Sequence, residues 1–163
     1  LIDDLLGLAR IGRAPLKIST VAVSRIANEI IAELRARDPE RTVATTVAPG
    51  LTARADGRLV AIVLENLLGN AWKFTAKATA ATIEVGTKDG ALFVRDTGAG
   101  FDMAYAAKLF VPFQRLHANE EFAGEGIGLA TVARIVAHHG GRIWAESEID
   151  QGATFYFTLG EHR

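Results

Sequence analysis

Between Asp56 and Phe74 runs one helical stripe that begins apolar and ends polar. Leu59, Ile62, Asn66, Asn70 and Lys73 recur at helical spacing, so they share a row on an α-helix. The apolar start of the row predicts a core-facing side, and the amides and the ammonium continue it. Burying such groups is costly unless something satisfies them. The same row is equally compatible with a hydrogen-bonded core asparagine and a lysine that reaches outward along its stem.

The flanking segments set the architecture. Ser24 is placed to cap a helix running to about Arg37, with Ile26, Ile30, Ile31 and Leu34 on one side and Pro39 as its stop. Residues 42–47 and 51–55 read as strands around a Pro49-Gly50 turn. Residues 81–87 and 91–95 read as a hairpin joined at Asp89-Gly90. The stretch 101–125 has weak periodicity and predicts a loop with helical turns near 103–110. A helix from about Ile127 to His139 follows, closed by Gly140-Gly141, and then strands 142–148 and 153–159 around Asp150-Gln151-Gly152. Leu1, Leu5, Leu8 and Ile11 form a further helical stripe over 1–11. Helices and hairpins in this order predict an α/β (α+β) two-layer sandwich, one mixed sheet covered by helices on one face.

Composition narrows the function classes. The 163 residues suit one domain with a sizeable core. A net charge of −1 gives no basic field for nucleic acid or anionic membrane. Without cysteine there is neither thiol catalysis nor a thiolate metal site, which fits a reducing, cytoplasmic setting. No apolar run approaches the ~20 residues of a membrane helix. The chain begins at Leu1 and its only methionine is Met103, so it is expected to be a piece of a longer protein.

Three segments carry chemistry. In the asparagine helix, Asn70 offers a carbonyl oxygen to a hard metal such as Mg²⁺, and Lys73 a charge to a phosphate. Asp96 ends a strand and enters Thr97-Gly98-Ala99-Gly100, where glycine permits close backbone approach. A carboxylate there can accept a hydrogen bond from an amino group such as adenine N6, although Asp and Gly also form plain turns. Gly124, Gly126 and Gly128 precede a helix, where exposed N–H groups bind phosphate. A long loop rather than a strand precedes them and no Gly-Lys-Ser/Thr follows, which disfavours Rossmann and P-loop readings.

Taken together, Leu64-Glu65-Asn66-Leu67-Leu68-Gly69-Asn70-Ala71-Trp72-Lys73-Phe74-Thr75, Asp96-Thr97-Gly98-Ala99-Gly100-Phe101, Phe110-Val111-Pro112-Phe113 and Gly124-Glu125-Gly126-Ile127-Gly128-Leu129-Ala130 resemble the N, G1, F and G2 boxes of the ATP-binding domain of bacterial sensor histidine kinases. Phe113-Gln114-Arg115-Leu116-His117 and His139-Gly140-Gly141-Arg142-Ile143-Trp144-Ala145-Glu146 resemble the branch with PAS or phytochrome-type sensory domains upstream. The resemblance implies a Bergerat-type sandwich with a flexible ATP lid at about 101–125, and ATP and Mg²⁺ as cofactors. Asn70 would be the Mg²⁺ ligand, Asn66 would sit near metal or phosphates, and Lys73 would meet phosphate. Phe74 would line the nucleotide site, and Asp96 would meet the adenine amino group beside Gly98 and Gly100. Phe110 and Phe113 would anchor the lid, and Arg115 would reach the phosphates. Gly124, Gly126, Ile127, Gly128 and Leu129 would hold the phosphate chain. Asn66, Lys73 and Arg115 are the residues expected to act in transfer.

By the same resemblance, residues 1–14 are the end of a dimerisation and phosphoacceptor hairpin, and 15–163 are the catalytic domain. The expected partners are that hairpin, in a homodimeric parent, and a response-regulator receiver domain; the fragment itself is expected to contact neither membrane nor nucleic acid. Glu125 departs from the small hydroxyl residue of many relatives. None of His117, His138, His139 and His162 is followed by an acidic residue as the family's phosphoacceptor histidine is, and adjacent His138 and His139 face different ways on a helix. The fragment is therefore expected to bind nucleotide without phosphorylating itself. The rival readings are a serine kinase or ATPase of the same superfamily and a binding module that has lost nucleotide.

Overall fold

The computed structural model of the chain describes residue 11, residues 13–111 and residues 128–162. Most of the predicted N-terminal helix lies outside these residues, as does the predicted lid beyond Val111. The described elements are strands β1 (Ile18–Ala22), β2 (Ala44–Val47), β3 (Thr52–Asp56), β4 (Thr82–Lys88), β5 (Ala91–Asp96), β6 (Ile143–Glu148) and β7 (Gly152–Phe157), with helices α1 (Val23–Arg37), α2 (Gly57–Phe74) and α3 (Gly128–His138). A 3₁₀ helix spans Met103–Lys108.

Five strands form one sheet in the order β2-β4-β5-β7-β6, with β2 parallel to β4 and the other neighbours antiparallel. The β4–β5 hairpin turns at Asp89 and Gly90, whose φ values of 52° and 83° are both positive, as the tight hairpin turn that favours Asp-Gly requires.

Alternation along β5 sorts the two faces of the sheet. Leu92 and Val94 join the main core, whereas Ala91 and Phe93 join a smaller cluster with Tyr156 and Trp144. On that outer face Trp144 stacks on Tyr156 at 5.4 Å, and the Arg95 and Arg142 guanidinium groups lie over Phe93 and Trp144. These cations cover apolar rings with charge, so the uncovered face meets water without a bare apolar patch. The opposite face carries the helices. There α2 lies between α1 and α3 and buries Val60, Val63, Leu64, Leu67, Leu68, Ala71 and Trp72. This is the expected two-layer sandwich with helices on one face.

Three details depart from the sequence reading. No element was expected over residues 18–22, yet β1 pairs antiparallel with β3 in a separate two-stranded sheet. Only Val21 of β1 is buried, so its apolar signal is weak. Ser24 is not the cap of α1: it lies inside the helix, and its hydroxyl donates to Ala48 O (2.6 Å) and accepts from Leu51 N (2.8 Å), pinning the turn before β3. Lastly, Leu59, Ile62, Asn66, Asn70 and Lys73 are all half-buried, while the fully buried stripe of α2 lies one step round. The polar row borders the core instead of continuing it, which lessens the cost of its amides.

Candidate nucleotide site

Helix α2 carries the row and meets the other two segments at different heights. Its start is set by Asp56, whose Oδ1 accepts from Arg58 N at 3.1 Å and satisfies one of the unpaired N–H groups of the first turn. Further along, Asn66 Nδ2 donates to Ile62 O at 2.9 Å, which leaves Oδ1 facing the start of α3. A Cβ added at Gly128 would lie 2.7 Å from that oxygen. The first residue of α3 therefore has to be small for the helix to approach Asn66. Leu129 beside it packs on the main core. The start of α3 therefore lies against the side of α2 that carries Asn66.

The C-terminal end of α2 meets the loop after β5. Ala99 N donates to Phe74 O at 3.0 Å, and a Cβ at Gly98 would stand 2.3 Å from the same oxygen. Gly100 has φ +64° and presses on Glu148 O, while Asp150 N donates to Ala99 O at 2.7 Å. Glycine is required at Gly98 for the contact and at Gly100 for both contact and backbone. The loop is thus clamped between α2 and the β6–β7 turn. Beside it, Lys73 Nζ lies 5.6 Å from the centroid of the Phe74 ring.

Asp96 sits at the root of this loop and is 5% exposed. Its Oδ1 accepts from Gly98 N at 2.8 Å. Burial pushes its carboxyl up from 3.8 to about 6, against the pull of the Gly98 and Ala153 N–H groups. Gly98 and Ala153 offer it backbone donors, and with its carboxyl at about 6 it is a largely ionised, buried acceptor at neutral pH. Its β7 neighbours were missed in the sequence. In the sequence Gly152 reads only as part of a turn, but a Cβ there would stand 2.0 Å from Asp96 O. No periodic signal marks such a contact between residues so far apart in the chain.

The fold brings Gly128, with Leu129 beside it, to Asn66, and brings Asp96 and Gly98 to Phe74, with Gly100 against the β6–β7 turn and Asn70 and Lys73 on the same helix as Asn66. Phe110 packs edge-on to Phe155 at 6.4 Å. Phe113, Arg115, Gly124, Gly126 and Ile127, together with Glu125 and His117, lie outside the described residues. Among the described residues no cluster of three His, Asp or Glu side chains is arranged to hold a metal. What the row offers is the hard amide oxygens of Asn66 and Asn70, a donor type that suits a Mg²⁺ completing its shell with phosphate oxygens and water.

Comparison with known proteins places the chain in a family. The family described as histidine kinase-, DNA gyrase B- and HSP90-like ATPase matches residues 55–163. The chain is 37% identical to cyanobacterial phytochrome A of Nostoc sp. over 98% of its length and 21% of that protein's. It is 33% identical to the phytochrome-like protein Cph1 of Synechocystis sp. over 98% of its length and 22% of that protein's. It thus spans about a fifth of these relatives. The crystal structure of full-length ShkA in complex with AMPPNP superposes with a TM-score of 0.76 at 29% identity, over 96% of this chain and 34% of that one. The nucleotide-free catalytic domain of histidine kinase ThkA shares the fold, with a TM-score of 0.71 at 22% identity over 86% of this chain and 95% of that one. On the family match and these likenesses, the chain belongs to the histidine kinase-, DNA gyrase B- and HSP90-like ATPases, as an ATP-binding domain of the sensor histidine kinase kind.

Proposed function

We propose that this chain binds Mg²⁺-ATP between α2, the 97–100 loop and the start of α3, and presents the γ-phosphate to a histidine on a dimerisation hairpin of its parent protein. The parent then passes phosphate to an aspartate of a response-regulator receiver domain. The observation that supports this best is the buried Asp96 carboxylate beside a loop clamped onto Phe74 O.

Asp96 accepts a hydrogen bond from the adenine amino group. A guanine would turn its carbonyl oxygen toward the same carboxylate, so the site selects adenine by repulsion as well as attraction. Phe74 lines the base, and the N–H groups at Gly128 and Leu129 hold phosphate oxygens at the start of α3. Asn66 and Asn70 are the residues that would hold Mg²⁺, and Lys73 supplies a positive charge to the phosphates. The metal, when bound, neutralises charge on the phosphates. Catalysis of this type is mostly positioning and charge stabilisation, so the attacking histidine and its base belong to the hairpin and not to this chain.

Equilibrium binding of ADP with Mg²⁺ to the wild type and to Asp96→Asn tests the reading. The wild type should bind, GTP should compete poorly, and the variant should bind roughly tenfold or more weakly because a buried charge-assisted hydrogen bond is lost. A wild type that binds no nucleotide would make the binding-module reading the better one. A variant that binds normally would remove Asp96 from the adenine contact.

A further inference from the structure

The end of α2 is held by a residue that the nucleotide reading does not use. A helix leaves its last four carbonyls without helical partners. Here those of Ala71, Trp72, Lys73 and Phe74 are all taken. Thr75 N donates to Ala71 O at 3.2 Å, Ala76 N to Lys73 O at 3.2 Å, and Ala99 N to Phe74 O at 3.0 Å. The Trp72 carbonyl accepts from Arg41 Nη1, and Arg41 Nη2 donates to Thr75 Oγ1 at 2.9 Å. Arg41 stands 31 residues before Trp72, on the loop between α1 and β2. Its guanidinium lies 4.9 Å from the Trp72 ring centroid and 3.9 Å from the Asp38 carboxylate, and its side chain is 18% exposed.

We propose that Arg41 is a positioning residue for nucleotide binding: it fixes the last turn of α2, and through the Phe74 carbonyl it fixes the loop that follows Asp96 and carries Gly98 and Gly100. This rests on the nucleotide reading above. The planar guanidinium reaches two acceptors three residues apart and covers the ring between them, which a lysine cannot do with one point charge. A cation at a helix C-terminus is also favoured by the helix dipole. The turn it holds contains Lys73 and Phe74, and Phe74 O is both the acceptor for Ala99 N and the surface against which Gly98 packs. Rotating that turn would carry the base-lining ring, the lysine and the glycine loop away together. Small misplacements of this kind are costly in a preorganised site.

The test compares Arg41→Met, Arg41→Lys and, as a control, Ile30→Ala, a core truncation in α1. Two quantities are followed at a temperature where all are folded: the Kd for Mg²⁺-ADP and the hydrogen exchange rate of the Ala99 amide. Arg41→Met should weaken binding roughly tenfold and speed Ala99 exchange, and Arg41→Lys should recover part of both. Ile30→Ala should lower the melting temperature while leaving the Kd and the Ala99 exchange near wild type. Wild-type nucleotide affinity or wild-type Ala99 exchange in Arg41→Met would overturn the positioning role and leave a helix cap that acts on stability alone. A wild-type chain that binds no Mg²⁺-ADP would sink the nucleotide reading itself, a separate and distinguishable failure.

Discussion

At Asp96 the same burial that shapes an acceptor also strains the fold. Its carboxyl titrates at about 6 in the folded chain against 3.8 for an ordinary aspartate, because burial disfavours the charged form. The folded state therefore holds a proton more tightly than the unfolded one. Stability from this group is present below pH 3.8 and is lost as pH rises through about 6. Asp96→Asn removes that dependence. Relative to wild type, the variant should gain up to about 3 kcal/mol between acid and neutral pH, while losing nucleotide affinity. Urea midpoints of both proteins at several pH values would check this, and parallel profiles would contradict the buried charge. A substitution that stabilises the apo chain and disables binding separates the site from the scaffold. Asp96 was legible as a candidate from its place between a strand and two glycines. Its burial was not, because Ala153 and Gly152 reach it from β7, more than fifty residues later.

Among the elements, α3 has a fixed end and a working end. His139, just beyond its C-terminus, is 2% exposed, and its Nδ1 and Nε2 lie 2.9 Å from Ile135 O and 3.1 Å from Asp56 N. The first contact makes Nδ1 the donor, so Nε2 must accept from Asp56 N and the ring must be neutral. Burial, with the charges of His162 and His138, lowers its pKa from the ordinary 6.5. The stability it contributes is complete above pH 6.5 and is lost as pH falls through the lower folded value. His139→Ala should cost about 2–4 kcal/mol, from a cavity and an orphaned Asp56 N–H. It should also abolish this acid slope, which paired denaturation curves would reveal because Asp96 contributes equally to both proteins. Adjacency alone implies that His138 and His139 face different ways on the helix. Periodicity likewise located α1, α2, α3 and both hairpins, because each presents a repeating apolar face. It missed β1, where one residue is buried, and it misplaced the polar row of α2 by one step, since spacing fixes which residues share a face but not how far that face turns inward.

For the whole molecule, the proposed function separates holding a nucleotide from receiving its phosphate. Gly128 meets α2 at Asn66 and the 97–100 loop meets it at Phe74, and the described histidines, His138, His139 and His162, are committed elsewhere. His139 is buried with both ring nitrogens engaged, His162 Nε2 lies 2.6 Å from Leu159 O, and His138 Nε2 lies 2.6 Å from Ala14 O. The last contact ties the segment preceding β1 to the end of α3, beside the bond from Lys17 N to Asp56 Oδ2 at 3.0 Å. On the proposed function, a domain built in this way would deliver phosphate to a group brought from outside. Incubated with Mg²⁺ and ATP labelled at the γ-position, the chain should bind nucleotide yet retain no acid-labile label. Adding a hairpin that carries a histidine followed by an acidic residue should place the label on the hairpin, and Asp96→Asn should abolish that transfer. Stable labelling of the chain alone would mean that one of its own histidines is an acceptor, and the division of labour proposed here would fail. Label appearing on a serine substrate in place of the hairpin would move the chain to the serine-kinase branch of its superfamily, with the nucleotide site unchanged.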